Sequence, residues 1–112
     1  MPVIRRECPI EGYTDNFVEV TDKWTRGEVR AYWRESGEKF LEIYRKKITA
    51  VHLTVEGGEP ITQPADIKDE QVDGVDYVVW RWFGQAFQYA VNEVQRLGEE
   101  KVQQLLHSTA ES

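Results

Sequence analysis

The chain has 112 residues, 30% of them charged and 40% hydrophobic, with a formal net charge of −6. That length fits one domain with one modest core, and the composition is globular rather than disordered. The acidic balance argues against non-specific binding to nucleic acid or to an acidic membrane surface. Cys8 is the only cysteine, which excludes an internal disulfide and a thiolate zinc site and fits a reducing cytosol.

In chain order, residues 2–8 ("PVIRREC") and 16–22 ("NFVEVTD") are short β-prone runs, separated by Pro9, Gly12 and Asp15 as turn punctuation. They predict an N-terminal β-hairpin, which needs a helical layer beneath it because two strands alone are marginal in water. In "WTRGEV", Thr25 and Glu28 have the spacing of a capping box, with Trp24 and Val29 at hydrophobic-staple positions. A first helix therefore starts after Thr25, carries Val29, Tyr32 and Trp33 on its apolar side, and ends near Ser36–Gly37.

A second helix is expected over residues 37–54, with Phe40, Ile43, Tyr44, Ile48, Val51 and Val55 at helical spacing. The end of that segment, "ITAVHLTV", is β-rich in composition and leaves a strand after Ile48 as the alternative. "EGGEP" breaks the chain. Residues 59–74 read as an acidic loop with two prolines, in which Asp66 or Asp69 starts a short helical turn.

A third helix follows, capped by Asp76 and stopped by Gly98. Val79, Phe83, Ala86, Ala90, Val94 and Leu97 make one stripe along it, and Trp80, Phe87, Val91 and Val94 a second. With Trp82, the two exceed the apolar arc of about 100° that a surface helix needs. Either this helix is central to the core, or part of its arc meets another chain. Val102, Leu105 and Leu106 allow the tail to extend the helix or to fray. The expected fold is thus α+β and mainly helical: three helices with a hairpin packed on them, one domain over residues 1–98, and an extension over 99–112.

Charge is unevenly spread. Residues 23–47 hold eight basic and four acidic residues, while residues 56–76 hold seven acidic residues and one lysine. These read as two solvated surfaces that attract each other, or as a basic helical face offered to an acidic partner. Catalytic machinery is not apparent. His52 and His107 are the only histidines and lie far apart in sequence. The acidic run from Asp66 to Asp76 lacks the ligand pattern of a calcium loop. Gly57–Gly58 lacks the Lys-Ser/Thr of a phosphate cradle. No cofactor, metal or membrane partner is expected. Arg26, Arg30, Arg34, Lys39, Arg45, Lys46 and Lys47 on two short helices imitate a helix-turn-helix, but the chain is acidic overall and Tyr32 and Trp33 fit a buried face.

With "FVEVTDKWTRGEVRAYW", "FLEIYRKKITAVHLTVEGGEPI" and "VDYVVWRWFGQAFQYAV" in this order, the chain resembles the small tail assembly chaperones of tailed bacteriophages and prophages, over roughly residues 16–97. The resemblance is one of layout and carries no catalytic residues across. It implies a non-enzymatic protein of the host cytoplasm that binds the apolar, helical tape measure protein and helps recruit tail tube subunits. On that reading Trp80, Trp82, Phe87 and Tyr89 hold the client, and Arg30, Arg34, Arg45 and Lys46 orient an acidic one. Self-association through the same face is equally compatible. The alternatives are a head–tail or tail-completion adaptor of the virion, and a small DNA-binding or host-modulating regulator.

Overall fold

The computed structural model describes residues 3–35 and 38–111, and their side chains other than those of residues 38 and 108–111. Two strands, β1 (Val3–Glu7) and β2 (Phe17–Thr21), form the expected antiparallel hairpin, with Arg5 opposite Glu19 and Arg6 opposite Val18. The turn between them is fixed by Asn16, which is fully buried. Its side-chain amide donates to the Tyr13 carbonyl at 2.9 Å, and its Oδ1 accepts from the Thr54 N–H at 2.6 Å. β2 alternates cleanly, with Val18 and Val20 facing the core and Phe17, Glu19 and Thr21 half-exposed. β1 is an edge strand whose exposed charges, Arg5, Arg6 and Glu7, discourage pairing with another sheet.

Helix α1 (Arg26–Arg34) begins with the capping box read from the sequence. The Glu28 N–H donates to Thr25 Oγ1 at 3.2 Å, and the Thr25 N–H donates to Glu28 Oε1 at 2.8 Å. The break expected at Ser36–Gly37 lies outside the described residues. Helix α2 (Glu38–Lys47) then runs straight into strand β3 (Ile48–His52). The helix expected to reach residue 54 therefore stops at Lys47, and the strand alternative holds. Ile48, Thr49 and Val51 are β-branched and lose rotamer freedom in a helix. In the sheet, Val51 pairs with Val18 and Ile48 with Val20, across an irregularity at Glu19/Val20. The described sheet is thus three-stranded and antiparallel, in the order β1-β2-β3.

The acidic loop is tied down rather than free. Leu53 and Ile61 exchange both backbone hydrogen bonds, at 2.9 and 2.8 Å, and Val55 bridges to Val75. A 3₁₀ turn (Pro64–Asp66) and the one-turn helix α3 (Asp69–Val72) follow, and Ile61 and Ile67 are buried. Gly74 is required by close approach, since a Cβ there would lie 2.7 Å from Val55 Cγ1.

Helix α4 (Tyr77–Glu111) has 35 residues, about 52 Å at 1.5 Å per residue. The molecule measures 61 × 27 × 21 Å, so the helix is about twice as long as either of its shorter dimensions. Its first half is the floor of the core: Val79, Phe83, Phe87, Ala90 and Val91 are fully buried against β2, β3, α1 and α2. The chain does not stop at Gly98. That glycine is not in the left-handed conformation of a helix terminator, and good helix formers follow it.

Candidate functional site

α4 presents different chemistry along its length. At its start Asp76 caps it, accepting the Val78 N–H at 2.9 Å through Oδ1. The first turn leaves Tyr77 70% and Val78 58% exposed. Arg81 donates to the Tyr77 hydroxyl at 3.4 Å. Together with Trp80 and with Leu41, Val72 and Val75 from α2 and the α3 region, Tyr77 lines an open groove with Asp69 and Asp73 also on its wall.

The middle of α4 is where the client-holding aromatics were expected, and most of them are structural. Phe87 is fully buried, its ring centroid 4.6 Å from that of Tyr44, 5.5 Å from Tyr32 and 5.9 Å from Trp24. It belongs to the core because α1 and α2 close over it with their own rings, so its place on a partner face is withdrawn. Trp80 is half-buried, stacked on Phe83 at 5.2 Å and edge-on to Tyr44 at 6.1 Å. Trp82 is half-buried against the same core. Tyr89 is 41% exposed, with the Arg6 guanidinium 4.2 Å over its ring. Burial also pushes the Tyr44 hydroxyl well up from the ordinary phenol value, and raises that of Tyr32, so both stay neutral.

Beyond Gly98 the helix leaves the body. Val102 is 54%, Leu105 68% and Leu106 58% exposed. Their i, i+3, i+4 spacing makes a short stripe on the helical extension that the sequence allowed, continuous along α4 with Val91 and Val94. At the point of departure, Trp24 and Asp22 face Val94, Leu97, Gly98 and Lys101 across a second open groove.

The basic residues assigned to the site divide in two. Lys46 Nζ lies 2.9 Å from Glu28 Oε2, and Arg45 donates to the Ile67 carbonyl at 2.6 Å, so both serve the chain itself. Arg30 and Arg34 are exposed on α1. Among the described residues no ion pair joins α1 to the acidic segment 56–76, whereas the α2 part of the basic stretch does lie against that segment, packed on the Pro64–Asp66 turn with Arg45 on the Ile67 carbonyl. Cys8 is 3% exposed and sits in the hairpin. His52 Nε2 lies 3.4 Å from Asp15 Oδ2 at the sheet margin. Among the described residues no group of three or more His, Cys, Asp or Glu is gathered for a metal, and no helix is long and apolar enough to cross a membrane.

Neither a family model, nor a curated protein, nor a solved structure matches the chain.

Proposed function

We propose that the protein is a non-enzymatic tail assembly factor of a tailed phage or prophage. It covers an apolar helical segment of the tape measure protein in the host cytoplasm and helps recruit tail tube subunits. One observation carries the reading: α4 is sunk in the core along its middle yet shows apolar side chains to water at both ends. Tyr77 and Val78 stand at one end, and Val102 and Leu106 at the other. Side chains of this type, set on a rigid helix, are what a protein needs to lay against a partner's amphipathic helix. Trp80 and Trp82 add half-buried aromatic edges, and Tyr89 an exposed ring, of the kind that anchor interfaces. The layout of the sequence supplies the specific client.

The reading is tested by co-expression with a long, apolar helical client. The parent chain keeps the client in the supernatant. Val102→Asp with Leu106→Asp, and separately Tyr77→Ala with Val78→Asp, lose that effect while retaining the parent's cooperative melt. If all variants solubilise the client as well as the parent does, the reading fails.

A further inference from the structure

The chain has eight arginines, and their bonding separates them sharply. Arg5 pairs with Glu19 and Glu7, and Arg6 covers the Tyr89 ring. Arg45 holds the Ile67 carbonyl, Arg81 reaches the Tyr77 hydroxyl, and Arg96 is clamped by Glu93 and Glu100. The remaining three, Arg26, Arg30 and Arg34, have no side-chain partner among the described residues, and all three are exposed on α1.

Their spacing is i, i+4, i+8. At 100° per residue they occupy one side of α1, and Trp33 falls beside Arg26, so the four share an arc of about 100° and a length of about 12 Å. Trp33 is 49% exposed, and its indole N–H is fixed by Gln95 of α4 at 3.3 Å. The opposite side of α1 buries Tyr32. Unused guanidiniums present forked donors matched to carboxylates, and arginine beside tryptophan is the composition of interface hot spots.

We infer that the outer face of α1, Arg26, Arg30 and Arg34 with Trp33 at its edge, docks an acidic helical segment of a partner protein, one with carboxylates at three- or four-residue intervals. Charge complementarity selects the occupant. A single short helix carries the three guanidiniums that have no side-chain partner among the described residues, whereas the chain as a whole is −6. That field repels an extended polyanion such as nucleic acid, while a short acidic helix engages only the local patch. The acidic segment of this same chain does not fill the role, because no ion pair reaches α1 from it among the described residues. The inference goes beyond the tail-assembly reading and does not need it, since the face is distinct from the ends of α4.

The test uses the full chain and a fluorescein-labelled helical peptide of Glu-Ala-Ala-Ala repeats, followed by anisotropy at low and high salt. The peptide binds the parent, and salt weakens the complex. The combined variant Arg26→Gln, Arg30→Gln, Arg34→Gln loses about tenfold or more in affinity. Trp33→Ala also weakens binding, whereas Lys68→Gln leaves it unchanged. All variants keep the parent's far-ultraviolet circular dichroism and melt. Val102→Asp with Leu106→Asp keeps peptide binding, which separates this surface from the client surface on α4. The inference is overturned if the peptide does not bind, or if the triple variant binds as the parent does. It is also overturned if a DNA duplex binds more tightly than the peptide, or if the arginines instead support a salt-sensitive dimer detected by sedimentation.

Discussion

Lys47 Nζ and Glu28 Oε1 lie 2.7 Å apart, and the same ammonium donates to the Lys23 carbonyl at 2.9 Å. The lysine is buried, and the carboxylate partner is also the third residue of α1, closing the capping box on Thr25. With Lys46 on the other carboxylate oxygen, Glu28 therefore joins the end of α2 to the start of α1.

The Lys47 ammonium, aided by the Thr25 N–H and Lys46, holds the Glu28 carboxyl down to about 2 from an ordinary 4.5. A carboxylate whose folded value is depressed contributes stability that is complete above its unfolded value and is lost as pH falls through the folded one. Glu28→Gln is expected to cost about 1–2 kcal/mol at neutral pH, after allowance for partial solvent screening. That difference disappears as the pH falls from about 4.5 towards 2, the window that the shift defines. Urea titrations of parent and variant across that range measure it.

Phe87 and Tyr89 are two residues apart on α4 and have opposite fates. Phe87→Ala removes a fully buried ring and is expected to cost about 3–5 kcal/mol. Tyr89→Ala removes an exposed ring beneath Arg6 and is expected to cost about 1 kcal/mol or less. Chemical denaturation distinguishes the two. Equal losses contradict the assignment of Phe87 to the core.

Asn16 is a buried polar hub whose Oδ1 satisfies the Thr54 N–H, while its own N–H donates to the Tyr13 carbonyl at 3.0 Å. Asn16→Ala strands the Thr54 N–H and opens a small void, and is expected to cost about 2 kcal/mol. Faster exchange of the Thr54 and Cys8 amides reports the loss at the right place.

Gly74 and Val55 touch in a way that a double variant reveals. Gly74→Ala places a Cβ 2.7 Å from Val55 Cγ1, an overlap expected to cost about 1–3 kcal/mol. In Val55→Ala the same substitution is expected to cost much less, so melts of the four proteins yield a coupling energy. Additive losses rule out the proposed contact.

Gly98 lies inside α4, and a Cβ there meets nothing within 4 Å. Gly98→Ala is therefore expected to strengthen the helix by about 1 kcal/mol. Slower amide exchange over residues 99–107 is the measurement.

Local signals were legible and long-range ones were not. The Thr25–Glu28 box and the Asp76 cap need only neighbours two or three residues away, the hairpin joins strands next to each other in sequence, and each forms as read. Strand β3 depends on a partner some thirty residues earlier, Val18 opposite Val51, and its residues fit either periodicity. Gly98 read as a stop because glycine usually ends a helix, but the residues after it sustain this one. The apolar arc of α4 was visible in its spacing. How deep each ring lies was not, because that is decided by Tyr32 and Tyr44 arriving from other helices to enclose Phe87.

The direct passage from Lys47 to Ile48 leaves that joint with no slack. An extra residue inserted there would either turn the last helical side chain away from Glu28 or slip β3 by one position against β2, sending Ile48 and Val51 outward into water. The glycine-rich bend at 57–58 has no such double duty. A peptide tag or fluorophore grafted into the bend leaves the architecture standing, whereas the same graft between the forty-seventh and forty-eighth residues dismantles it.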